Sequence, residues 1–286
     1  MEMFKTKPFV SERVWGYERW IVSVHPAGQS VIENASAQGG EKLLSEIIGT
    51  AYPLLIKVIQ ANETLSVQVH PDDAYARVHE RSVGKTECWY VLDAVPDAKI
   101  IYGLNKAYDR RELEAAIERN AIQECLRSVS VSKGDFIFIP AGTVHAIQGG
   151  LRLLEVQQSS DITYRLYDWG RPREVHIQKG LDVIRYMPDS ALRVEHPFKG
   201  QRCCPYFRME KKDFSASGTL SFSQFDTPAA KTGWCSLFVI AGSGTLETAG
   251  SSALSVKAED CIMVRLESAV SVIPDHSSNI SIMLMG

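Results

Sequence analysis

A chain of 286 residues, 45% hydrophobic and 23% charged, has the composition of a soluble globular protein, long enough for one large or two modest domains. Its net charge of −3 gives no global reason to expect nucleic acid or an anionic membrane surface, so any anionic ligand must find local cations. No apolar run approaches the roughly 20 residues that span a bilayer, "MEMFKTKPFVSERVWG" lacks the features of a signal peptide, and the six cysteines form no C-x-x-C pair; a cytoplasmic protein with reduced cysteines is the expectation.

In chain order, "EKLLSEIIG" (41–49) reads as a short amphipathic helix stopped by Gly49. Strands are expected at 54–60, 64–70, 87–92, 98–103, 135–140, 152–158 and 162–168, separated by Gly, Pro and Asp punctuation. "DRRELEAAIERN" opens with Asp109 and Glu112 at capping-box spacing and continues with Leu113, Ala116 and Ile117 at helical spacing. A third helix is expected within 173–185. Beyond about residue 188 the chain becomes irregular, and strands then return to the C-terminus. "GDFIFIPAGTVHAI" (134–147) and "EDCIMVRLESAVSVI" (259–273) share an acidic turn, an apolar strand and a second strand. The later copy has no counterpart of His145. β-Hairpins resemble one another in any case, but the match fits two related β-barrels, the second without a site.

Within "LSVQVHPDD", Leu65, Val67 and Val69 alternate with Ser66, Gln68 and His70, the period of a half-buried strand. Its second face carries a carboxamide and an imidazole two residues apart. With Glu87 and His145 they make a nitrogen and oxygen donor set without thiolate, suited to Zn²⁺, Fe²⁺ or Mn²⁺ in a site that keeps a position open. A lone strand histidine is more often a surface or satisfied core residue, and His25, His79, His176, His196 and His276 are read that way. What lifts His145 is its setting in G-x5-P-x-G-x2-H, formed by Gly134, Pro140, Gly142 and His145.

That spacing resembles the second motif of the cupin β-barrels. The first cupin motif is altered: Gln68-x-His70 is followed by a helix-like insertion and then Glu87. The departure resembles the type I mannose-6-phosphate isomerases, through Gln68-Val69-His70-Pro71-Asp72, Lys85-Thr86-Glu87 and Pro140 to His145. The likeness runs from "VWG" (14–16) through "LLEVQQSSDITYRLYDWGRPREVHIQKGLDVI", about the first two thirds, and is closest to the short bacterial branch.

The resemblance implies a mainly β fold of two cupin-like (jelly-roll) barrels with a few helices, a catalytic domain over 1–188 and a degenerate barrel over 189–286. It implies one Zn²⁺ per chain on Gln68, His70, Glu87 and His145, and interconversion of mannose 6-phosphate and fructose 6-phosphate through a cis-enediol. It makes Arg165 the active-site arginine; a planar, forked, permanently charged group suits sugar hydroxyls, an enediolate oxygen or a phosphate. Lys85, two residues from Glu87 on the same strand face, falls near the metal. Glu155, among apolar neighbours, serves as acid or base or partners Arg165. Asp168 alternates off the Arg165 face, and Trp15 stacks on a sugar or plugs the barrel. The expected partner is a small sugar phosphate, with no nucleic acid or membrane, and the chain is a monomer or homodimer. The rival readings are isomerisation of a different sugar phosphate, an Fe²⁺ cupin dioxygenase, disfavoured by Gln68, Lys85 and Arg165, and a non-catalytic cupin that senses or binds sugar phosphates.

Overall fold

The computed structural model describes residues 2–33, 41–188, 192–249, 251–275 and 279–286. It is mainly β, as expected, and its strands form open sheets rather than closed rings among the described residues. The chain divides into two compact units, one of residues 11–18 and 58–198, the other of residues 1–10, 19–57 and 199–286. The expected boundary at 188/189 abuts residues 189–191, outside the described set. The units are discontinuous because Met3–Lys7 pairs with Cys261–Arg265, a partnership no local pattern announces.

In the unit of residues 11–18 and 58–198, one sheet places Phe136–Ile139 beside Glu87–Ala94 and that strand beside Leu151–Gln158. The other runs Tyr164–Tyr167, Val67–Val69, His145–Ile147, Lys99–Leu104, Leu126–Ser130. Trp89, Val91, Ile137 and Leu153 of the first pack with Ile100, Tyr102 and Ile147 of the second, forming the apolar filling between the sheets. Trp15 joins this filling, 5% exposed. Val67, Val69, Ala146 and Leu166 turn to the opposite face of the second sheet, where Leu113, Ala116 and Leu181 cover them. Those covering residues come from helices Arg110–Glu118 and Ile177–Val183, the first with both halves of the Asp109–Glu112 capping box formed. Period-2 alternation then sends Gln68 and Arg165 inward.

The other unit repeats the pairing logic. Trp234–Ala241 pairs with Cys261–Arg265 and Ile280–Met285, as Glu87–Ala94 pairs with Phe136–Ile139 and Leu151–Gln158. Val270–Pro274 lies between Gly218–Leu220 and Ser243–Thr248, as His145–Ile147 lies between Val67–Val69 and Lys99–Leu104. The interior is filled by Leu237, Val239, Leu246, Ile262, Val272 and Ile282.

Several expected elements are shorter than their sequence patterns. The 64–70 strand contracts to Val67–Val69, the 162–168 strand to Tyr164–Tyr167, the 41–49 helix to Ser45–Ile48, and the 173–185 helix to Ile177–Val183. Pro71 lacks the N–H to extend the first. Helix Asp73–His79 begins just after it, its N-cap Asp72 accepting from Tyr75 N at 2.9 Å.

Candidate metal centre

The site is assembled from inward-facing residues of the two sheets. Arg165 pairs opposite Gln68, and Gln68 opposite His145, so the three form a row across neighbouring strands. On the other sheet Glu87 stands opposite Gln157 and Trp89 opposite Glu155. The P-x-G turn before His145 needs Gly142: its φ is +85°, and a Cβ there would lie 2.8 Å from the Val183 carbonyl oxygen. Gly142 N also donates to the His70 carbonyl at 2.9 Å, tying the His145 turn to the end of the His70 strand.

His70, Glu87 and His145 are buried, with their ligand atoms within 4.8 Å of one another. Each imidazole is oriented by a backbone carbonyl. His70 Nδ1–H donates to Ile162 O at 2.8 Å and His145 Nδ1–H to Thr143 O at 2.9 Å. That leaves both Nε2 lone pairs aimed at Glu87, at 3.5 Å from Oε2 and 3.3 Å from Oε1 respectively. Burial pushes the His145 pKa down to about 4, opposed by the Thr143 carbonyl and reinforced by Lys85, so the ring is neutral at pH 7. Gln68 completes the group, its Nε2 3.3 Å from His145 Nε2. A half-turn of the carboxamide presents its oxygen instead.

Lys85 stands among these groups, with Nζ 2.8 Å from Glu87 Oε2 and 3.1 Å from His70 Nε2. Burial opposes its charge, but Glu87 and Glu155 outweigh that and hold its pKa up. Two imidazoles each oriented by a backbone carbonyl, a buried carboxylate and a carboxamide form a borderline-hard N/O donor set that fits a divalent ion.

The remaining expected residues are placed as follows. Arg165 Nη1 donates to Glu174 O at 2.6 Å. Burial, with Arg173 and Arg171 nearby, lowers its pKa from a value high enough to leave it charged. Glu155 is 3% exposed and accepts from Trp89 Nε1 at 2.9 Å. Asp168 is clamped by Arg173 through bonds of 2.6 and 2.7 Å. His79 stacks on Tyr75, and His276 lies outside the described residues. Sequence reasoning missed the Ile162 and Thr143 carbonyls, which carry no side-chain signal, and Trp89, whose apolar pattern hid its N–H.

The catalytic-domain model of type I phosphomannose isomerases matches residues 3–87. Over 253 residues the chain is 39% identical to mannose-6-phosphate isomerase ManA of Bacillus subtilis, covering 75% of this chain and 80% of that protein. The chain belongs to the type I phosphomannose isomerase family. A second family member, mannose-6-phosphate isomerase of Streptococcus mutans, is 43% identical over 182 residues, 58% of this chain and 57% of its own. The crystal structure of the mannose 6-phosphate isomerase from Bacillus subtilis superimposes with a TM-score of 0.85 at 27% identity, over 100% of both chains. In this phosphomannose isomerase fold the His70, Glu87 and His145 cluster sits on the two facing sheets described above.

Proposed function

We propose that this chain is a zinc-dependent aldose–ketose isomerase that interconverts mannose 6-phosphate and fructose 6-phosphate. The observation that carries the reading is the convergence of His70, Glu87 and His145, with Gln68 alongside, in a chain of this family. These four residues would hold the metal, which supplies Lewis-acid polarisation of the sugar's C1 and C2 oxygens. The protein's own groups do the rest. Glu155, kept from water and oriented by the Trp89 N–H, is assigned the proton that leaves C2 and returns to C1 through a cis-enediol. The Lys85 ammonium is placed to balance negative charge as it develops on the sugar oxygens, and Arg165 adds a second fixed cation one strand away from Gln68.

In this reading the partner is a small sugar phosphate, and no nucleic acid or membrane is involved. The protein is cytoplasmic and acts as a monomer or homodimer. No described helix is long and apolar enough to cross a membrane.

The test is turnover of mannose 6-phosphate in a coupled assay, run beside metal analysis. Wild-type protein should bind one zinc per chain and lose activity on chelation, and Glu87→Ala should lose both zinc and turnover. Full activity after chelation, or stoichiometric zinc in Glu87→Ala, would overturn the assignment. Zinc binding without turnover would favour a sugar-phosphate-binding cupin instead.

A further inference from the structure

Two adjacent glutamines, Gln157 and Gln158, stitch together the segments that carry the proposed ligands. The Gln158 carboxamide accepts from Thr86 N at 2.9 Å, immediately before Glu87, and donates to Asp73 Oδ1 at 2.9 Å, three residues after His70. Asp73 Oδ1 also accepts from Gly84 N at 2.8 Å. The backbone of Gln158 adds a bond from its N–H to Thr86 O at 3.2 Å. One side chain therefore links the approach to Glu87 with the exit from His70. Gln157, fully buried opposite Glu87, donates through Nε2 to Gln158 O and to Ser160 O, at 2.9 and 2.5 Å. It thereby pins the turn that ends at Ile162, whose carbonyl orients His70.

We propose that Gln157 and Gln158 are positioning residues that set how tightly the centre holds its metal. The proposal rests on His70, Glu87, His145 and Gln68 being the ligands. A carbonyl that orients a ligating histidine governs affinity as well as tautomer. Here that carbonyl belongs to a turn held by the Gln157 amide, and the distance between the His70 and Glu87 segments is spanned by the Gln158 amide. A merely structural role makes a different demand. Replacing the Gln157 amide by the thioether of Met removes its two donor bonds, but Gln158 O keeps the bond from Ser160 N at 2.7 Å, so the stability cost is confined to the donor lost at Ser160 O. Fold stability and metal affinity then part company in the Gln157→Met variant.

The experiment measures zinc dissociation constants by competition with a chromophoric chelator, and the visible spectrum of the cobalt-loaded protein, for wild type, Gln157→Met and Gln158→Met. The expected result is zinc binding weakened about 10- to 100-fold in each variant and an altered cobalt spectrum. The metal-free melting temperature of Gln157→Met should stay within roughly 4 °C of wild type. If Gln158→Met does not fold, Gln158→Glu keeps the acceptor for Thr86 N and sets a carboxylate against Asp73, which weakens the same link. Unchanged zinc affinity with an unchanged cobalt spectrum in the folded variants would overturn the proposal. A wild-type protein that binds neither metal overturns the ligand assignment itself, which separates the two failures.

Discussion

The Lys85 ammonium lies 2.8 Å from the Glu87 carboxylate, both side chains all but inaccessible to water. The same ammonium is 3.1 Å from His70 Nε2, the lone pair the histidine offers to the site. A cation drawn to these two groups competes with Lys85 for them and is repelled by its charge.

Lys85→Met should therefore tighten metal binding while crippling turnover. A unit charge a few ångströms from a divalent ion is worth more than 1 kcal/mol even with strong screening, so zinc affinity should rise about tenfold or more. The kcat should fall by about 10²- to 10⁴-fold, the usual worth of a group that assists proton or charge movement. Chelator competition and steady-state kinetics on the same preparation check both; weaker zinc binding in the variant counts against the charge argument.

Arg165→Lys tests the cation on the opposite side of Gln68. A lysine keeps the charge and loses the fork that donates to Glu174 O and, in the proposed reading, to the substrate. The kcat/KM should fall by about 10- to 100-fold, the value of one charge-assisted hydrogen bond, with zinc content unchanged. A rise in KM at constant kcat assigns the guanidinium to ground-state binding of the phosphate; a fall in kcat assigns it to the enediolate. Kinetics equal to wild type would remove Arg165 from the site.

The centre was legible in the sequence because its donors sit at fixed short offsets on a strand and a turn: Gln68 and His70 two apart, Lys85 and Glu87 two apart, His145 just after the glycine turn. Alternation gave each residue a face, and the facing sheets give the faces a meeting point. Partnership across long sequence separations was not legible. That Trp89 Nε1 reaches Glu155, that Asp73 is bound by Gln158, and that Met3–Lys7 pairs with Cys261–Arg265 depend on tertiary register, which periodicity does not encode. Backbone carbonyls such as those of Ile162 and Thr143 are available at every position, so nothing in the residue type marks the two that orient the histidines.

Acid should loosen the helices over the second sheet through Glu80. Its carboxylate accepts from Lys179 Nζ and from the Tyr164 hydroxyl, each at 2.7 Å, and these bonds, Lys179 first, lower its pKa against a smaller opposing effect of burial. A carboxyl depressed in the folded state contributes stability that is present above its unfolded pKa and lost as pH falls through the folded value. The site is solvent-screened, so the contribution is at most about 1 kcal/mol. Melting temperatures of wild type and Glu80→Gln should differ by a few degrees at pH 7 and draw together as the pH falls below the ordinary glutamate range. A constant gap across that range would place the effect elsewhere.

Gly84 is a position where space, not backbone angle, forbids a side chain. A Cβ there would lie 2.5 Å from the Asp72 carbonyl carbon, 2.6 Å from Asp73 N and 2.8 Å from Pro71 O, all backbone atoms that cannot rotate away. The closeness is functional in layout, since Lys85 N donates to Pro71 O at 2.9 Å across the same contact, holding the Lys85–Glu87 segment against the chain leaving His70. Gly84→Ala must push the two segments apart. Overpacking of this kind costs about 1–3 kcal/mol, and because the displaced segments carry Glu87 and His70, zinc affinity should fall with stability. Gly49→Ala supplies the contrast: its φ of +85° strains an alanine, but its Cβ meets nothing within 4 Å. That variant should lose some stability and keep wild-type zinc affinity. Thermal melts paired with zinc titrations distinguish the two, and a Gly84→Ala protein that binds zinc as tightly as wild type would show that the 71–73 and 84–87 segments move apart without disturbing the centre.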